Sequence, residues 1–109
     1  MTRVAVVGLG RVGSRNDAHS YPVPLSHVGA VLATPGVRLV GMVDPDPRAR
    51  AEAGAAWGGR TDVKPSANLA DVGPAEVVAL CTPTSSRLVD VRTALALGPR
   101  VLVVEKPLA

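Results

Sequence analysis

The chain has 109 residues, 47% hydrophobic and 19% charged, a composition that can bury one core and does not suit a disordered tail. The net charge is +3, but the basic residues are scattered and Trp57 and Tyr21 are the only aromatics, which excludes a stacking platform or basic stripe for nucleic acid. A single cysteine, Cys81, excludes a disulfide framework and a multi-cysteine zinc site, and no apolar run nears the ~18 residues of a membrane span.

The first apolar run, Val4–Val7, is stopped at once by Gly8, so it reads as a strand and not as the longer apolar stretch of a signal peptide. With no targeting signal, a cytoplasmic location is the default expectation. Ser26 is placed to cap a helix over His27–Ala33, closed by Thr34-Pro35-Gly36. A second strand, Val37–Val43, ends at Asp44. Asp46 and Pro47 then open a helix reaching Trp57, closed by Gly58-Gly59. The stretch after it predicts a minor strand at Thr61–Lys64 and a short helical turn after Ser66. A third strand, Glu76–Cys81, leads into Thr82-Pro83. Ser85 or Ser86 begins a helix to Leu97, whose Leu88, Val91 and Leu95 form the apolar stripe, and Gly98-Pro99 stops it. A fourth strand, Arg100–Val104, ends at Glu105-Lys106-Pro107.

Near-continuous apolar strands alternating with helices predict an α/β, doubly wound parallel sheet, covered on both faces. Ligands of such sheets bind beyond the carboxyl ends of the strands. The chemically suggestive residues all fall at those ends.

Gly8-Leu9-Gly10-Arg11-Val12-Gly13 is a GxGxxG directly after the first strand. Gly8 allows a tight turn, Gly10 the close approach of a pyrophosphate, and Gly13 close packing of the segment that follows, with N–H groups at a helix start meeting the phosphate oxygens. Glycine-rich turns are common, and it is the position after an N-terminal strand that favours a dinucleotide. Asp44 is the acid expected to accept from an adenosine ribose, although it also reads as a helix cap, a role for which Asp46 competes. It falls 31 residues after Gly13, where about 20 is usual. The excess looks like an insertion, Arg15–Leu25, which either caps a cofactor or is plain surface. An acid here repels a 2′-phosphate and favours NAD over NADP, while Arg48 and Arg50 pull the other way.

At the third strand end, the Thr82 hydroxyl and an exposed carbonyl before Pro83 suit contact with a ribose or nicotinamide edge. Cys81 reads as a small buried residue and not a nucleophile, since nothing adjacent lowers its pKa. Lys106 either reaches into the cleft to polarise or protonate a substrate oxygen, or pairs with Glu105 in solvent. His19 and His27 have no metal-ligand spacing, so no metal is expected. There is no GxSxG, and Ser85-Ser86 reads as a helix cap.

Taken together, Val-Ala-Val-Val-Gly-Leu-Gly-Arg-Val-Gly, Ser-His-Val-Gly-Ala-Val-Leu-Ala, Leu-Val-Gly-Met-Val-Asp-Pro-Asp, Cys-Thr-Pro-Thr and Glu-Lys-Pro-Leu resemble the N-terminal domain of the Gfo/Idh/MocA oxidoreductases over essentially the whole chain. The resemblance implies a Rossmann domain for NAD(P), followed in the family by a substrate domain. It also implies hydride transfer between the cofactor and a sugar, cyclitol or related polyol. By position, Gly8, Gly10 and Gly13 match the phosphate loop and Asp44 the ribose acid. Thr82 and Pro83 match the segment flanking the cofactor, and Glu105, Lys106 and Pro107 match the motif whose lysine is given a catalytic or substrate-orienting role. Where the family commonly has Asn and, three residues on, His, this chain has Thr84 and Arg87.

The expectation is therefore a Rossmann-like domain over residues 1–109, truncated after the strand preceding Glu105-Lys106-Pro107, with the substrate domain absent. Such a chain should bind NAD weakly and turn nothing over by itself. The cofactor ligands would be Gly8, Leu9, Gly10, Arg11, Val12, Gly13, Asp44, Thr82, Pro83 and Glu105, with Lys106 catalytic. The partners would be a small-molecule cofactor and a polyol substrate, with neither nucleic acid nor membrane, and a bare sheet edge favours a homo-oligomer. The rival expectation is a standalone, non-catalytic nucleotide-binding or interaction module.

Overall fold

A computed structural model of the chain describes residues 1–10, 13, 14 and 26–105. The four apolar runs form strands β1 (Thr2–Val7), β2 (Val37–Val43), β3 (Val77–Leu80) and β4 (Val101–Val104), all parallel and ordered β2-β1-β3-β4. Among the described residues three α-helices connect them: α1 (His27–Ala33), α2 (Pro47–Trp57) and α3 (Arg87–Ala96).

Successive side chains of a strand point to opposite faces, so β1 and β2 supply two cores. Ala5, Val7, Val43, Val78 and Leu80 pack with Leu69 and Ala94 on one face. Val6, Leu39 and Met42 pack with Leu9, Val28, Ala53 and Trp57 on the other. This is why the β1 and β2 runs are nearly unbroken in hydrophobicity and not alternating, whereas β4 turns Leu102 and Val104 to the first core and leaves Val101 and Val103 50% and 38% exposed.

The helix boundaries follow their caps. Ser26 Oγ accepts from the Gly29 N–H at 3.1 Å, and Asp46 accepts from the Arg48 N–H at 3.0 Å with Pro47 in the first turn. Three expectations need correction. No strand forms at Thr61–Lys64: the Thr61 hydroxyl takes the Val63 N–H at 3.2 Å, and Pro65 has no donor. Pairing beyond β2 shrinks to one bridge, Val43 to Ser66, before the expected helical turn at Leu69–Asp71. The Ser86 side chain does not cap α3, because its one hydroxyl proton goes to Asp90 Oδ2 at 2.8 Å, with the Pro83 carbonyl at 3.2 Å the alternative acceptor.

The third correction concerns the rotation of α3. Leu88 and Leu95 are 64% and 58% exposed, while Arg87, Val91 and Ala94 face inward. Those three share a face at i, i+4 and i+7, and that face is chosen by Arg87, whose guanidinium is bonded beneath the strand ends.

β1 pairs with β2 on one side and β3 on the other, so the winding direction reverses there. The reversal opens a crevice at the carboxyl ends of the strands.

Candidate dinucleotide site

A cleft of about 1230 Å³ lies over that reversal, between the Gly8–Gly10 turn, Asp44 and Asn68 on one side and Thr82, Pro83 and Asp90 on the other. Gly8 has φ +93°, and a Cβ there would stand 2.6 Å from the Cys81 carbonyl oxygen. A Cβ on Gly13 would overlap the Gly8 carbonyl. Gly10 lines the cleft, and among the described residues nothing lies within 4 Å of a Cβ placed on it. Gly8 thus serves a left-handed turn and Gly13 a tight packing contact.

The loop is anchored from behind. The Ser14 N–H donates to the Gly10 carbonyl at 2.9 Å, and the buried Ser14 Oγ accepts from Trp57 Nε1 at 2.7 Å. The expected helix start at this loop falls largely on residues outside those described. Helix α1 begins at His27, and its Val28 and Gly29 N–H groups are taken by the Gly13 carbonyl and by Ser26. Arg11, Val12, the insertion Arg15–Leu25, Lys106 and Pro107 lie outside the described residues.

The cap reading of Asp44 belongs to Asp46. Asp44 Oδ2 instead accepts from the Leu9 N–H at 2.8 Å and Oδ1 from the Asp46 N–H at 2.9 Å, which joins the end of β2 to the glycine turn. Each carboxylate oxygen keeps a further lone pair for a hydroxyl donor. Arg50 Nη1 donates to the carbonyls of Asp44 and Pro45, both at 2.9 Å, while Arg48 lies 3.8 Å from Glu52 and is 87% exposed.

Across the cleft the Thr82 carbonyl is not exposed as expected: it accepts from Arg87 Nη2 at 2.6 Å. The Thr82 hydroxyl is buried and has no partner among the described residues, which fits a site that takes a polar ligand. Arg87, 6% exposed, also donates through Nη1 to the Glu105 carbonyl. A cation in the first turn of a helix opposes the helix dipole, so its place there signals a tertiary role. The Glu105 carboxylate lies 2.6 Å from His27 Nε2. No local sequence signal announces that pair, which spans 78 positions. Burial pushes the Cys81 thiol up to about 12, with the Glu105 charge adding to it and Arg87 opposing. A thiol held that high stays protonated at neutral pH, in keeping with a packing residue and not a nucleophile.

A doubly wound parallel sheet with a glycine turn and a strand-end acid at its reversal defines a dinucleotide-binding domain. The family model for the oxidoreductase family with an NAD-binding Rossmann fold (Gfo/Idh/MocA) matches residues 2–109, and the chain belongs to that family. The WlbA dehydrogenase of Bordetella pertussis, solved with NADH and UDP-GlcNAcA, is similar at 30% identity and a TM-score of 0.72, over 98% of this chain and 29% of that one. The WlbA dehydrogenase of Chromobacterium violaceum, solved with the same two molecules, is 27% identical at a TM-score of 0.72, over 99% of this chain and 28% of that one. A myo-inositol dehydrogenase of Corynebacterium glutamicum shares the fold at 20% identity and a TM-score of 0.71, over 99% and 28%. No curated protein matches. The chain therefore spans less than a third of these structures' length.

Proposed function

We propose that residues 1–109 form the NAD-binding part of an oxidoreductase that moves a hydride between the cofactor and a sugar, cyclitol or related polyol. The observation that carries this reading is the convergence of Asp44 and the open Gly10 on one cleft through the Asp44–Leu9 bond. Asp44 would accept from the adenosine ribose, and the loop Gly8, Leu9, Gly10, Arg11, Val12 and Gly13 would hold the pyrophosphate. Thr82, Pro83 and Glu105 would meet the nicotinamide half. The bound cofactor supplies the hydride chemistry. Lys106 would hold or release a proton at the substrate oxygen, the role its motif implies.

NAD is the expected cofactor, because the Asp44 carboxylate would repel a 2′-phosphate and Arg50 is engaged by two carbonyls. Calorimetric titration with NAD and then NADP tests the reading. NAD should bind more tightly, and Asp44→Ala should weaken it by about tenfold or more, the worth of a hydrogen bond to a charged group. Lys106→Ala should spare binding. No heat from a folded chain, or Asp44→Ala binding like wild type, would overturn the assignment.

A further inference from the structure

Three bonds converge on Glu105. Its N–H donates to the Leu80 carbonyl at 3.1 Å, its carbonyl accepts from Arg87 Nη1, and its carboxylate meets His27 Nε2 at 2.6 Å. A carboxylate only accepts, so Nε2 is the donor. The second arm of Arg87 holds the Thr82 carbonyl, so one buried guanidinium ties the ends of β3 and β4 together. With the Glu105 backbone fixed from two sides, its side chain is what remains to be placed, and His27 places it. The His27 side chain is 26% exposed and that of Glu105 is 35%, so without this partner the carboxylate would be free to turn toward water. His27 is itself held, since Ser26 caps its helix and the neighbouring Val28 N–H donates to the Gly13 carbonyl at 3.0 Å. The first turn of α1 therefore connects the glycine loop to the residue that follows β4.

We propose that His27 is a positioning residue which fixes the Glu105 carboxylate in the orientation that meets the nicotinamide half of the dinucleotide. The proposal rests on the site assignment given under Proposed function. It makes the selectivity for NADH over ADP-ribose, which lacks the nicotinamide, depend on a helix residue far from Glu105 in sequence.

The experiment is parallel titration of the protein with NADH and ADP-ribose. Wild type should prefer NADH. In His27→Leu that preference should fall by about tenfold, the scale of one hydrogen bond to a charged group, with ADP-ribose affinity kept. His27→Gln, whose amide still donates, should restore it. In a Glu105→Leu background, His27→Leu should have no further effect. In the unsubstituted protein, the ¹⁵N signal of His27 Nε2 should shift with NADH and stay still with ADP-ribose, a readout that needs no variant to fold. An unchanged preference in His27→Leu, an equal loss for both ligands, failed rescue by Gln, or an Nε2 signal blind to NADH would each overturn the proposal. If instead Asp44→Ala leaves ADP-ribose affinity intact, or wild type binds neither ligand, the underlying site assignment fails and takes the proposal with it.

Discussion

At the scale of single residues, three glycines of one motif answer to three different constraints. Gly8 needs its positive φ and lies against the Cys81 carbonyl, Gly13 packs on the Gly8 carbonyl, and a Cβ on Gly10 meets nothing among the described residues. A methyl group therefore has different consequences at each. Gly13→Ala forces backbone against backbone in the turn and should destabilise the fold by about 1–3 kcal/mol, the usual cost of overpacking. Gly10→Ala should leave stability nearly unchanged while obstructing the cofactor. Urea unfolding of the two variants, read by the single Trp57, separates a packing glycine from an access glycine.

At the scale of elements, α3 shows how a local pattern is overruled. Its leucines at positions 88 and 95 suggest the buried stripe, yet Arg87 is the residue drawn inward by the two carbonyls at the strand ends. With Arg87 inside, the helical period carries Val91 and Ala94 onto the core face and Leu88 and Leu95 into solvent. Leu88→Gln and Leu95→Gln should each change stability by less than about 0.5 kcal/mol, as exposed substitutions do. Ala94→Leu, at a fully buried position, should cost about 1–3 kcal/mol through overpacking. Thermal unfolding of the three variants checks the assignment, and the opposite ranking would mean that the leucine stripe faces the core.

At the scale of the whole molecule, the cleft occupies one end of the sheet and a charged staple the other. The Arg3 backbone N–H and guanidinium both donate to Glu76, at 2.7 Å and 2.8 Å, joining the beginnings of β1 and β3. The Glu76 carbonyl accepts from the Arg100 N–H at 2.7 Å, which brings in the approach to β4. Hydrogen bonding from Arg3 holds the Glu76 carboxyl down from 4.5 to about 2. A folded-state value below the unfolded one stabilises above pH 4.5, and that contribution is lost as the pH falls toward about 2. Glu76→Gln should flatten the acid side of the stability profile over this window and lower the plateau above it. Urea midpoints measured across the window check this, and parallel profiles for the two proteins would show that the staple adds nothing.

Much was legible in the one-dimensional chain because its signals are local. Strand runs, the caps at Ser26 and Asp46, the GxGxxG after β1 and the acid after β2 each depend on neighbours in sequence, and so does the order of elements that makes a doubly wound sheet. Only the tertiary structure decided that Asp44 turns to Leu9, that Arg87 rotates α3, that the Thr82 carbonyl is covered and that His27 meets Glu105. These contacts form when strands distant in sequence end side by side, where buried charges and carbonyls must find partners among whatever the fold brings near. Short-range propensity shapes the segments. The demand that buried polar groups be satisfied selects their rotation and pairing, and it acts only once the sheet has been assembled.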